Sequence, residues 1–265
     1  MPFAGIAVPI SKKILPIIFV IDASTSMKGE KINSVNSAIK ESIEILKDFS
    51  NSNPDASLAF GVLAFSTEPV WMTNGLQELD DLMIDDIVAK GRTNLGKALL
   101  DIKEKFNKEH LFDAAEGYMA PVLIFMSDGR PIDSWKRILN DLNKNNRWFK
   151  ASTKIGIAIG KEADIDILSR VVGNRESVIT VNNLTILSDL IKIVSMTSSI
   201  VSSQSKLSAS KPASVEIIKK AIESVEKDDV DTADNIEEKP IEDDKNDIVG
   251  EDDFENFDFD DNSGW

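Results

Sequence analysis

The pattern that most constrains the fold of this chain is an alternation of short apolar runs with longer stretches of helical periodicity. Ile17–Ile21 is a continuous apolar run, which is typical of a strand buried on both faces. A stripe of apolar residues at spacings of 3 or 4 follows it and predicts the buried face of an amphipathic helix. The same reasoning predicts further strands at Ser57–Phe65, Val122–Met126, Lys154–Ile159 and Ser177–Thr180, with helical stretches between them.

Strands that alternate with helices predict an α/β domain with a mostly parallel sheet. Parallel strands need right-handed crossovers, which place helices on both faces of the sheet. Glu68–Met72 is expected to return beside the second strand as an antiparallel partner, and Pro69 limits it to an edge. We therefore predict a Rossmann-like, doubly wound domain over residues 12–200.

The remainder of the chain has a different composition. Residues 201–213 are Ser-rich and predict a linker, and residues 214–227 form a short amphipathic segment. Residues 228–265 are an acidic tail that we expect to be disordered. Aromatic residues interrupt its acids, which favours either a partner-binding motif or a solubilising extension. These aromatic residues are Phe254, Phe257, Phe259 and Trp265.

Charge and cysteine content exclude several classes of function. The 265 residues include 45 acidic and 30 basic side chains, a net charge of −15, so general binding to nucleic acid is not expected. The absence of cysteine excludes a disulfide scaffold, a thiolate zinc site and a cysteine nucleophile. The apolar runs are far shorter than the roughly 20 residues that span a bilayer. We expect a cytoplasmic protein without a membrane partner.

Hydroxyl and carboxylate side chains follow the first strand at alternate positions. Asp22, Ser24 and Ser26 form a D-x-S-x-S pattern, and alternation in an extended turn points side chains toward one side. Hard oxygen donors at the carboxyl end of a strand suit Mg²⁺. The same residue types also cap helices and form turns, so this motif alone leaves both interpretations open.

Two other motifs supply similar donors. Asp128 follows the strand Val122–Met126 in the sequence Ser-Asp-Gly, and Thr93 lies in a Gly-x-Thr loop before a helix. Ligands of open α/β sheets bind at the carboxyl ends of strands, where strand order reverses. If the two strands are central neighbours, Asp22 and Asp128 face each other at that edge.

Together these motifs resemble the von Willebrand factor A domain (vWA) with its metal-ion-dependent adhesion site (MIDAS). The resemblance covers residues 12–200 and implies strand order 3-2-1-4-5-6 with one antiparallel edge strand. It implies that Ser24, Ser26 and Thr93 ligate Mg²⁺ or Mn²⁺, and that Asp22 and Asp128 hold the ion directly or through water. An open position on the ion would then take a carboxylate from a partner protein, so the chain is expected to be an interaction module and not an enzyme.

The details around these motifs look most like the bacterial tellurium-resistance (TerY-like) branch. Among them are Pro16 before the first strand and the stretches Gly29–Ile32 and Ser127–Pro131. That resemblance implies a stress-response or tellurite-resistance system. It implies a protein phosphatase of the PP2C type or a protein kinase as partners. Arg130 and Trp71 are expected on the partner-binding rim of the site.

Three alternatives remain open at this stage. Gly91–Lys97 matches most of a phosphate-binding P-loop, but Ala98 stands where Ser or Thr should bind Mg²⁺. Asp22 is also a possible nucleophile of a phosphotransferase, although Ser24 is a poor general acid and His110 lies in a polar stretch. The third alternative is a structural α/β domain that binds no metal.

Overall fold

The computed structural model describes most of the predicted domain and two short segments after it. The described residues are 13–52, 56–80, 82–107, 109–112, 117–184, 187, 189–191, 194–195, 213–224 and 230–232. All of them belong to one compact unit, Met1–Asn235, whereas the second unit, Ile236–Trp265, lies outside the described residues. The aromatic motif of the tail and nearly all of the predicted linker therefore also lie outside them.

The described residues form eight strands in one sheet. Its strands are β1 Lys13–Asp22, β2 Ala56–Phe65, β3 Pro69–Trp71, β4 Gln77–Glu78, β5 Val122–Ser127, β6 Thr153–Ile159, β7 Val178–Val181 and β8 Val230–Thr232. Their order is β3-β2-β1-β5-β6-β7-β8, with β4 also paired to β2. The five central strands are parallel, which confirms the predicted mostly parallel α/β sheet. If the short β4 is left out of the numbering, the first six strands have the implied order 3-2-1-4-5-6, and β8 is an additional edge strand.

Antiparallel strands occur at both edges of this sheet. β3 pairs antiparallel with β2, as the position of Pro69 predicts, because proline lacks the N–H that an interior strand would donate. β4 adds a second short antiparallel pairing to β2. β8 pairs antiparallel with β7 and lies within the segment that the sequence assigns to the acidic tail.

Helices cover both faces of the sheet. Those whose bounds are described are α1 Glu30–Ser52, α2 Leu95–Lys105, α3 Trp135–Asn145, α4 Arg147–Ala151, α5 Ile165–Val172 and α6 Ala213–Ser224. Alternate side chains of β1 point to opposite faces: Phe19 packs in the cluster that includes α1, and Val20 packs in the cluster that includes α2 and α3. This two-sided burial explains why β1 reads as a continuous apolar run.

The domain extends beyond residue 200, where the sequence prediction ends it. Ile217 and Ile218 of α6 are buried in the same cluster as the inner side of α1. The hydroxyls of Ser214 and Ser177 are 2.7 Å apart and hydrogen-bonded. A twelve-residue helix has little stability alone, so its packing against the sheet accounts for its order.

The pairing of the central strands sets the place of the candidate site. Ile21 of β1 lies opposite Met126 of β5, and both strands end within two residues of that pair. Asp22 and Asp128 therefore emerge at the same edge of the sheet. None of the described helices combines the length and the apolar character needed to cross a membrane.

Candidate metal centre

Asp22 is the most deeply buried donor of the site. It is the last residue of β1 and is 0% exposed, and its carboxylate accepts two short hydrogen bonds. The amide of Ser24 donates to Oδ1 at 2.8 Å, and the hydroxyl of Ser127 donates to Oδ2 at 2.7 Å. These bonds hold the carboxylate in one orientation at the edge of the sheet.

A chain of hydrogen bonds joins the other carboxylate to the serines. The hydroxyls of Ser24 and Ser26 are 3.0 Å apart, and the Ser26 hydroxyl donates to Asp128 Oδ1 at 2.7 Å. Ser24 is buried with Asp128, whereas Ser26 is exposed at the mouth of the site. The structure thus brings together the donors that the D-x-S-x-S and Ser-Asp-Gly motifs predict.

Thr93 lies at the site because backbone hydrogen bonds join its loop to the loops that follow β1 and β5. The amide of Thr25 donates to Gly91 O at 3.0 Å, and the amide of Ile132 donates to Thr93 O at 3.1 Å. Gly91 has φ +79°, and a Cβ there would lie 2.4 Å from the Thr67 hydroxyl oxygen. A glycine is therefore required at residue 91 for the loop to pack in this way.

Gly129 leaves open the space between the donors. A Cβ at Gly129 would lie 3.2 Å from Thr93 Oγ1, 3.4 Å from Ser26 Oγ and 3.5 Å from Asp22 Oδ2. Oxygens from two separate segments, residues 22–26 and the Thr93 loop, therefore converge on one small volume beside a third segment. Two carboxylates with neutral hydroxyls are donors that a hard divalent cation prefers, so the residues fit such an ion.

The hydroxyl oxygens are needed as metal ligands because the site has too few carboxylates to hold an ion alone. No group of three or more His, Cys, Asp or Glu side chains arranged to hold a metal occurs among the described residues. The candidate centre therefore depends on serine and threonine oxygens beside two aspartates.

The two carboxylates have different electrostatic environments. Burial raises the pKa of the Asp22 carboxyl above its ordinary value, and the charge of Asp128 adds to this effect. Hydrogen bonds from Ser127 and Ser24 act in the opposite direction. Asp128 instead has a cationic partner, because Lys31 of α1 forms an ion pair with its Oδ2.

The two predicted rim residues lie in different places. The side chain of Arg130 is 82% exposed, and its Nε lies 2.8 Å from Asp164 Oδ2. Trp71 belongs elsewhere: its ring faces Gly61, and its Nε1 donates to Asp101 at 2.5 Å. Gly61 lies four residues before the end of β2, about 13 Å along the strand from the edge that carries Asp22. The structure therefore does not bring Trp71 to the site.

The contacts of the Gly91–Lys97 segment disfavour a phosphate-binding loop. The amides of Gly96 and Lys97 at the start of α2 donate to the carboxylate of Asp133, at 2.9 and 3.1 Å. A phosphate would need those same amides. Lys97 forms an ion pair with Glu68, and residues 82–90, which precede the segment, have no strand among them.

His110 gives no support to a catalytic interpretation. It is exposed in a turn, where its ring nitrogen lies 2.9 Å from the side-chain oxygen of Asn107. None of the contacts that define the candidate centre involves it. The phosphotransferase alternative therefore gains no general acid or base from this residue.

Three residues of the centre were not predicted as site residues. They are Ser127, which binds Asp22, Lys31, which binds Asp128, and Asp133, which binds the start of α2. Ser127 is visible in the sequence as the first residue of Ser-Asp-Gly. The other two have no local signal, since they lie 97 and 37 positions from their partners.

Comparisons with known proteins agree with this architecture. Inter-alpha-trypsin inhibitor heavy chain H4 of Bos taurus is 32% identical over 136 residues, which are 49% of this chain and 14% of that protein. Proximal thread matrix protein 1 from the mussel byssus aligns with TM-score 0.52 and 20% identity, over 69% of this chain and 47% of that one. A von Willebrand factor type A structure from Catenulispora acidiphila aligns with TM-score 0.51 and 17% identity, over 71% of this chain and 43% of that one.

Another structure of the byssus protein has a zinc-occupied MIDAS motif; it aligns with TM-score 0.48 and 21% identity, over 69% of this chain and 44% of that one. This chain covers less than half of each of these proteins. The family model of the von Willebrand factor type A domain matches residues 17–193, about two thirds of the chain. The chain belongs to the von Willebrand factor type A family.

Proposed function

We propose that this protein is a divalent-metal-dependent interaction module that binds an acidic residue of a partner protein. The observation that carries the proposal is the convergence of Thr93, Ser26 and Asp22 oxygens on the volume beside Gly129. Asp22, Ser24, Ser26, Thr93 and Asp128 would hold Mg²⁺ or Mn²⁺ there. When bound, the ion supplies a positive, electrophilic centre that attracts an anionic ligand.

The residues around the donors prepare the site for this role. Ser127 orients the carboxylate of Asp22, and the backbone bonds from Thr25 and Ile132 hold the loop of Thr93 in place. Three of the five donors are neutral hydroxyls, so only the two aspartates offset the charge of a divalent ion, and one of them already pairs with the ammonium of Lys31. Ser26 is exposed, so the mouth of the site is open to a partner.

The test of metal binding is a pair of substitutions at Thr93. Thr93→Val removes the hydroxyl at nearly constant volume, and Thr93→Ser keeps it. By titration calorimetry with Mg²⁺ and Mn²⁺, we expect the valine variant to lose about tenfold or more in affinity, since even an outer-shell partner of a metal ligand contributes about 10–100-fold. The serine variant should bind as wild type does, and equal affinity of wild type and Thr93→Val would overturn the proposal.

We propose an interaction role in preference to catalysis because the polar groups of the site already have structural partners. The hydroxyl of Ser127 is bonded to Asp22, and that of Ser26 is bonded to Asp128. Purified protein should therefore not hydrolyse ATP, phosphoserine peptides or p-nitrophenyl phosphate above background. Hydrolysis that disappears in Asp22→Asn but survives Thr93→Val would instead support a phosphotransferase.

The partner and pathway are proposed from the resemblance of the motifs to the TerY-like branch. We propose a stress-response or tellurite-resistance system, with a PP2C-type phosphatase or a protein kinase as partner. A pull-down from the native host, with and without EDTA, tests both points. Recovery of such a partner only without EDTA supports the proposal, and recovery that EDTA does not change contradicts it.

The acidic tail has a proposed role of its own. We propose that it docks a second protein through Phe254, Phe257, Phe259 and Trp265, since apolar anchors need a groove whereas a mask for the metal needs only an acid. A chain ending at residue 235 should then bind that protein less tightly than full length. Tighter binding after truncation would show instead that the tail masks the site.

A further inference from the structure

The two carboxylates of the centre are neutralised unequally. In the contacts that the structure describes, Asp22 accepts only from the neutral donors of Ser24 and Ser127. Asp128 divides its oxygens between two kinds of partner: Oδ1 accepts from Ser26, and Oδ2 pairs with the ammonium of Lys31. One carboxylate therefore already has a cation before any metal binds.

The position of Lys31 is defined by its surroundings. Lys31 is the second residue of α1, and its side chain is 29% exposed, whereas that of Asp128 is only 1% exposed. Gly160, which follows β6, leaves room for it: a Cβ there would lie 3.3 Å from Lys31 Cε and 3.6 Å from Nζ. The lysine thus extends from α1 across the edge of the sheet to β5.

From these contacts we infer that Lys31 is a built-in cation that limits the affinity of the centre for divalent metal and keeps the loaded centre positive. The inference rests on the proposed function. With Lys31, two carboxylates, one ammonium and one divalent ion sum to a net charge of +1. Without Lys31 the same centre is neutral and attracts a partner carboxylate less strongly.

Lys31 has opposite effects on the empty and the loaded centre. In the metal-free protein its ammonium compensates a buried carboxylate, which would otherwise destabilise the fold. In the loaded protein the same ammonium repels the divalent ion. Its removal should therefore destabilise the metal-free protein and strengthen metal binding, a combination that loss of a merely structural contact does not produce.

The experiment measures Mg²⁺ and Mn²⁺ affinity by calorimetry and melting temperature in EDTA for full-length protein. Lys31→Met should bind Mg²⁺ about tenfold more tightly, since a cation a few ångströms away is removed, and should melt at a lower temperature in EDTA. Lys31→Gln keeps an N–H donor without the charge, so it carries the same expectation for affinity if Lys31→Met does not fold.

Two control variants separate charge from shape. Lys31→Arg keeps the charge and should bind metal within about threefold of wild type, which is clearly less than the tenfold change expected for Lys31→Met. Lys28→Met removes an exposed lysine three residues earlier and should leave both readouts unchanged. An arginine variant that behaves like the methionine variant would overturn the inference, because the effect would then be steric.

The remaining outcomes are also decisive. Unchanged or weaker Mg²⁺ binding by Lys31→Met and Lys31→Gln would overturn the inference, since Lys31 would then only orient Asp128. If wild type binds no divalent ion but Lys31→Met does, the proposed function fails while the inference about Lys31 stands. If neither binds, both are overturned.

Discussion

Gly129 is the residue on which the space between the oxygen donors depends. Its missing side chain leaves the volume into which Thr93, Ser26 and Asp22 direct their oxygens. Its φ is not among the positive values found in the described backbone, so an alanine there would be free of backbone strain. The contribution of the glycine is therefore steric and local.

Gly129→Ala should abolish metal binding while preserving the fold. The added Cβ would lie 3.2 Å from the Thr93 hydroxyl oxygen, within the volume where the donors converge. We expect calorimetry to show no Mg²⁺ binding, together with a melting temperature in EDTA close to that of wild type. Wild-type affinity in this variant would mean that the ion binds elsewhere.

At the scale of elements, the start of α2 depends on a carboxylate from a different loop. Asn94 at the helix start makes no capping hydrogen bond with its side chain. Asp133 takes that role, because it accepts from the amides of Gly96 and Lys97. The contact also explains the small residue at position 96, since a Cβ there would lie 2.8 Å from an Asp133 oxygen.

Asp133→Ala should therefore destabilise the protein by about 1 kcal/mol, as loss of a helix cap does. It should also weaken Mg²⁺ binding, because α2 begins two residues after Thr93. Ser134→Ala is the matched control, since Ser134 precedes α3 but makes no capping bond with its side chain. Equal stability of the two variants in urea denaturation would contradict the assigned role of Asp133.

The strand β6 carries a lysine whose charge is costly. Burial lowers the pKa of Lys154 from 10.5 to about 8, and its Nζ lies 4.6 Å from the centre of the Phe149 ring. Between these two pKa values the unfolded chain binds more protons than the folded one. The free energy of unfolding therefore rises as the pH increases from 8 toward 10.5.

Lys154→Met should stabilise the protein at pH 7 by about 1–2 kcal/mol, less than the full shift because water screens the charge in part. The gain should shrink as the pH rises from 8 and be nearly gone at pH 10.5, because the folded-state lysine is then neutral and its buried charge no longer costs stability. Lys150→Met, at an exposed position, should have little effect at either pH. Urea denaturation at the two pH values measures both variants, and a gain that grows with pH would refute the argument.

At the scale of the whole molecule, the domain includes chain that follows the family match. That match ends at residue 193, yet α6 places Ile217 and Ile218 in the same buried core as α1. β8 then extends the sheet past β7. Two side chains as deeply buried as these make a substantial contribution to the free energy of unfolding.

A chain ending at residue 201 should consequently be much less stable than one ending at residue 235. The shorter chain loses the burial of Ile217. The substitution Ile217→Ala alone should lower the free energy of unfolding of the longer chain by about 2–4 kcal/mol. The longer chain keeps every contact that the structure describes. Thermal melting of the two truncated chains and of the Ile217→Ala variant checks this. Equal melting temperatures for the two truncated chains would show that α6 does not stabilise the domain.

The sequence by itself determined the strands, the helices on both faces and the types of donor at the site. These features are local: a buried parallel strand such as β1 is apolar throughout, and a helix such as α1 repeats its apolar residues every three or four positions. Asp22, Ser24 and Ser26 follow a strand end directly, so their shared side could be predicted from strand geometry alone.

Only the tertiary structure decided which distant side chains meet. Lys31 pairs with Asp128, Asp133 caps α2, and α6 packs in the core. No local sequence pattern predicts any of these partners. Trp71 shows the converse, since an aromatic at a hairpin was expected at the rim and instead packs over Gly61. Such contacts depend on strand register and on where each helix crosses the sheet. Many weak packing contacts together determine both of these features.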